Sequence, residues 1–220
     1  MSSSVKGRSS GLALVVAGIL FGTFMFFHPP NNPTGALNPI WTPIHIMWFV
    51  SYLLILFGLN GIYCTLASAS TRVGTLAWIL SFLGTALSLP IAAWDAFIVP
   101  YLAVHAPDMI TQVEETSMEL PVFAFRLIFF LTVITFSLGF VLLGIVAIRS
   151  RVMPRAAGLL VLIGAPLFWL GAIVFSQGST GNAVTIGGAV LFGVGISWFG
   201  YAQRAVQAER PGKAGAGGLT

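Results

Sequence analysis

Asp95, Arg126 and the three histidines His28, His45 and His105 are the side chains of this chain best equipped for chemistry. Asp95 and Arg126 each stand inside an apolar stretch, where an isolated charge is costly and a carboxylate–guanidinium pair is the economical arrangement. The pattern therefore predicts that Asp95 and Arg126 interact and, with His45, anchor one polar site. His28, His45 and His105 lie near the same membrane face and form a candidate metal constellation, and opposed histidines could instead hold a haem. No metal-ligand or haem-attachment spacing accompanies them, and no resident cofactor is expected.

The templates that would specify a reaction are missing. There is no HExxH zinc-protease motif and no phosphate-binding loop, and a serine-hydrolase site is not expected. Neither lysine, Lys6 or Lys213, lies inside an apolar run, so a buried Schiff base has no residue to use. The lone cysteine, Cys64, excludes an intrachain disulfide and is expected as a small buried hydrophobe.

The elements that must position these residues are membrane helices. Of 220 residues 57% are hydrophobic and 7% charged, against roughly 25% charged in a soluble domain. The apolar residues come in continuous runs, and a run of about 18 or more reads as a spanning helix. A membrane β-barrel would alternate instead. The fold class expected is all-α: a single polytopic bundle over residues 11–203 with six transmembrane helices. These run over about residues 11–28, 41–67, 75–103, 121–148, 156–175 and 183–202, between an amino-terminal segment (1–10) and a flexible tail (204–220). The first is expected to remain as an uncleaved helix, because His28-Pro29-Pro30 is not a small-residue cleavage site.

Charge sets the orientation. Lys6, Arg8, Arg72, Arg149, Arg151, Arg155, Arg204, Arg210 and Lys213 fall at one end of the helices, and Asp108, Glu114, Glu115 and Glu119 at the other. The positive-inside rule then puts both termini in the cytoplasm. The net charge of +4 is used up by this partition. No basic patch interleaved with aromatics is present, so nucleic acid is not an expected partner. The lipid bilayer is, with a membrane-protein partner or a second copy of the chain as further possibilities.

Spacing predicts how the helices meet. The first helix carries Gly18 and Gly22, and the sixth repeats Thr185, Ala189, Gly193 and Ser197, which reads as a helix–helix seam. His45, Tyr52, Asn60 and Tyr63 recur along the second helix, and Ser81, Thr85, Ser88 and Asp95 along the third. These two stripes are expected to face each other, by interhelical hydrogen bonds or around a polar cavity. Pro90 and Pro166 should each kink a helix, with Thr85 or Ser88 serving the freed Ala86 carbonyl.

His28-Pro29, Pro43-x-His45, Gly58-Leu59-x-Gly61-Ile62-Tyr63, Trp94-Asp95-Ala96-Phe97-x-x-Pro100 and Met153-Pro154-Arg155 together resemble a group of uncharacterised bacterial multi-helix membrane proteins. There the pattern reads approximately HP…P-x-H…GLxGLY…(E/D)AFxxP…LPRW. Ala156 stands where that pattern has an aromatic. The resemblance implies the architecture and a bacterial cytoplasmic membrane. It brings no activity with it. The functional expectation is a non-catalytic membrane component or a small transporter-like protein with an outward-facing polar site. The alternative is a membrane-bound haem or metal-binding redox protein using the outer histidines.

Overall fold

The computed structural model describes residues 3–66, 72–150, 152–173 and 179–214. The described chain is helical, with no strand among these residues. Helix α1 (Ser3–Thr23) ends in a 3₁₀ turn (Phe24–Phe27), and a single-turn α2 (Pro33–Ala36) follows. Next come α3 (Trp41–Leu66) and α4 (Arg72–Ala93), the latter continued by a π turn (Trp94–Ile98) into α5 (Val99–His105). The short α6 (Pro107–Thr111) and a second π turn (Gln112–Thr116) precede α7 (Leu120–Ser150), α8 (Arg155–Ile173) and α9 (Ser179–Ala214).

Among the described residues six stretches are long and apolar enough to cross a bilayer: Ser9–Phe27, Trp41–Leu66, Arg72–His105, Leu120–Ser150, Arg155–Ile173 and Asn182–Val206. Their neighbours follow chain order: α1 packs on α3, α3 on α4, α4 on α7, α7 on α8, α8 on α9, and α9 returns to α1. The result is a ring of six helices. Leu76, Leu83, Phe130, Ile134, Leu138, Leu159, Ile163 and Val194 are exposed on its outside. A continuous apolar exterior needs lipid as its solvent. The protein is a multi-pass integral membrane protein.

The ring is closed at its axis by aromatic side chains. Phe21 of α1 packs against Phe192 of α9 (4.8 Å between ring centroids), Phe168 of α8 (5.0 Å) and Tyr52 of α3 (5.6 Å). Phe136 of α7 joins the same group through Phe192 (5.2 Å) and Tyr52 (5.9 Å). The sixth wall, α4, contributes Gly84, against which the backbone of Phe136 lies.

Backbones approach closely where small residues allow it. A Cβ on Gly193 would lie 2.7 Å from the Gly22 Cα and would strike the Gly18 carbonyl. The Ser197 hydroxyl donates to the Val15 carbonyl (3.1 Å) across the same seam. Thr185 lies instead against Gly171 of α8. The small-residue face of α9 is thus shared between two neighbouring helices.

Several local expectations change. α9 continues to Ala214, past the expected end at 202, and residues 203–209 of this extension are rich in strong helix formers; residues 215–220 of the expected tail lie outside the described residues. The 105–120 loop is folded into α6 and a π turn. Thr85 and Ser88 do not serve the Ala86 carbonyl: their hydroxyls donate to Ser81 (2.7 Å) and Gly84 (2.8 Å), the i−4 carbonyls each reaches most directly. Cys64 is exposed. It falls on the outer face of α3 with Leu53, Phe57 and Asn60.

Candidate functional site

The bundle end that carries the 28–40 and 106–119 connections holds the two closest histidines. His45 sits in the second turn of α3 and is 2% exposed. Its Nδ1–H donates to the Trp41 carbonyl one turn back (2.8 Å). The 3₁₀ turn after α1 hands the chain to His28, whose Nδ1–H donates to the Pro29 carbonyl (2.5 Å). A carbonyl only accepts, so each ring carries its proton on Nδ1. The two Nε2 atoms then face each other at 3.1 Å. Indole rings enclose the pair: Trp41 lies 4.5 Å from His45 and 5.3 Å from His28, and Trp48 lies 6.2 Å from His45. Burial holds the His28 imidazole below its ordinary range, against the smaller opposite pull of the Pro29 carbonyl. With its proton on Nδ1, the ring keeps the Nε2 lone pair.

Asp95 belongs to the π turn at the same end. That turn has a cause in the sequence. Pro100 has no N–H, so the carbonyls one π or α turn before it, Asp95 and Ala96, lose a helical donor. The first turn of α3 supplies replacements. The Trp41 indole N–H donates to the Asp95 carbonyl (2.7 Å), and the Thr42 hydroxyl donates to the Ala96 carbonyl (3.1 Å). Trp41 thus ties the π turn to the His45 segment. Beside Asp95, the Trp94 indole N–H donates to the Glu114 carboxylate (3.4 Å).

Arg126 and Asp95 are not joined in an ion pair. The Arg126 guanidinium donates to the Ser117 carbonyl and lies 3.6 Å from the Met118 sulfur, at the turn that feeds α7. Matching depth along two helices does not fix the direction of either side chain. An acceptor nine residues away in Arg126's own connection is the nearer partner. His105 is also apart from the pair: its ring stacks on Tyr101 (4.3 Å) and its Nδ1 bonds the Tyr101 carbonyl (2.9 Å).

Most of the two stripes turns inward. Tyr52, Ser81, Thr85 and Ser88 are buried. Tyr63 is half-buried, with its hydroxyl 3.4 Å from the Thr75 hydroxyl and its ring on Trp78 (5.3 Å). Asn60 points outward, because eight residues from Tyr52 is about 80° away on the helical wheel. The letters GRSSG at residues 7–11 do fit the GxSxG nucleophile pattern. The nucleophile position of that pattern is Ser9, which lies within continuous α1 rather than at a strand-to-helix elbow; its neighbour Ser10 accepts from the Gln203 side-chain amide (2.5 Å).

No protein family, curated protein or solved structure matches the chain.

Sequence reasoning placed His45 and Asp95 at one end and missed Trp41 and Thr42, which connect them. The signal was present: Trp41, His45 and Trp48 recur at spacings of four and three, and Pro100 announces free carbonyls near Asp95.

Proposed function

We propose that the protein is a non-catalytic component of a bacterial cytoplasmic membrane, with both termini cytoplasmic and the histidine end outward. His45, Asp95 and Arg126 mark its outward polar end: His28 and Trp41 join His45 and the Asp95 turn, and Arg126 stands at the turn that feeds α7. The concentration of Lys and Arg at the opposite ends of the helices supports the orientation. The observation that carries the reading is the aromatic group of Phe21, Tyr52, Phe136, Phe168 and Phe192. It fills the axis beneath the polar end, so the site lies at one membrane face with the bundle closed behind it.

A haem held between two histidines fits less well. Iron ligated on both faces places the two nitrogens about 4 Å apart with the macrocycle between them. At 3.1 Å the His28 and His45 Nε2 atoms leave no such gap.

The test is reconstitution into liposomes carrying a pH gradient and a potassium gradient. Vesicles with the protein should hold both gradients as long as empty vesicles do. Accelerated decay of either gradient would establish a through path and replace the reading with transport.

A further inference from the structure

We propose that the His28–His45 pair is a two-imidazole site for a borderline transition-metal ion of the zinc type. The inference rests on the reading of this end as the polar site and names its ligand.

Both Nδ1 atoms are committed as donors to backbone carbonyls, His28 to Pro29 and His45 to Trp41. Metal-ligating histidines characteristically donate the second ring N–H to a carbonyl or carboxylate, which fixes tautomer and ring direction. Here two rings have that support, and their remaining nitrogens converge at 3.1 Å. With both Nδ1–H groups committed, the Nε2 of each ring is the nitrogen left to accept, and the two point toward one place. Two nitrogens each about 2.0–2.1 Å from one ion at the tetrahedral angle are about 3.3–3.4 Å apart. The observed separation is within a few tenths of an ångström of that bite.

The surroundings agree with a ligand rather than a structural contact. Trp41 and Trp48 hold the rings and exclude most water from His45. His28 is half-buried and leaves an approach from the membrane face. Among the described residues no three His, Cys, Asp or Glu side chains converge. The remaining coordination positions therefore fall to water or to a donor on an arriving molecule, which makes the ion an open site. Imidazole nitrogens suit zinc, copper and nickel rather than magnesium or calcium.

The experiment uses the full-length protein in detergent, stripped by a chelator and titrated with zinc alone. One ion per chain should bind. His28→Gln and His45→Gln should each weaken binding by at least about 100-fold, and His105→Gln should leave it unchanged. Absence of binding, or binding that survives both His28→Gln and His45→Gln, overturns the proposal; a pair that shares only a proton gives the first of these results. If the variants do not fold, X-ray absorption on the zinc-loaded native protein decides. Two imidazole nitrogens at about 2.0–2.1 Å support the site, and one imidazole or an all-oxygen shell overturns it. The liposome measurement needs no zinc and the titration needs no membrane, so failure of one is distinct from failure of the other.

Discussion

At the histidine end the second bond of each side chain decides what its first can do. His28 and His45 present Nε2 to each other because Nδ1 is already taken by a carbonyl. Trp41 contributes its carbonyl to His45 and its indole N–H to Asp95, so one residue fixes both the ring and the π turn. Trp41→Phe keeps most of the ring and removes the N–H. It leaves a carbonyl that Pro100 has already deprived of a backbone donor. We expect a loss of about 1–2 kcal/mol in detergent, between the average interhelical bond and the cost of an unsatisfied buried group. Trp78→Phe is the comparison, because its indole N–H has no hydrogen-bond partner. Thermal unfolding should rank Trp41→Phe as clearly the more destabilising; equal shifts would mean that the Trp41–Asp95 bond contributes nothing. Pro100 made this arrangement legible in principle. The direction of Arg126 was not legible, since apolar runs report depth and say little about rotation.

Among the elements, α9 carries the seam on which ring closure depends. Gly193 lies where α1 and α9 come closest, with Gly18 and Gly22 opposite. Lipid does not drive apolar helices together, so this approach is what holds the pair. Gly193→Leu should cost more than about 2 kcal/mol, because backbone atoms rather than flexible side-chain ends stand in the way. Leu159→Ile, on a residue 50% exposed to lipid, should shift stability little. Equal thermal stability of the two variants would place Gly193 off the seam. The repeat Ala189, Gly193, Ser197 announced this contact in the sequence, and its partner helix did not follow from spacing. Small residues on α3, α4 and α8 offered equally good seams, and ring closure by α1 is a property of the assembled bundle.

For the molecule as a whole, long apolar runs made the six spans readable, because a helix is the way a continuous hydrophobic segment satisfies its backbone in lipid. The meeting of His28 with His45 was not readable. It depends on a 3₁₀ turn ending α1 and on a connection that folds back through α2, where the Asn32 side chain accepts from the Gly35 N–H (2.8 Å). The exposed face of α3 was misjudged for a related reason: Asn60 and Cys64 share a face with Leu53 and Phe57, and one polar residue does not make that face interior. The proposed reading is a histidine end that faces outward from a bundle closed behind it. Its most direct test is thiol labelling of intact cells with a membrane-impermeant maleimide, in a Cys64→Ala background. Asn31→Cys, on the exposed connection beside His28, should label fully on intact cells, and Ser150→Cys only after permeabilisation. Labelling of Asn31→Cys that requires permeabilisation would turn the histidine end to the cytoplasm and contradict the account.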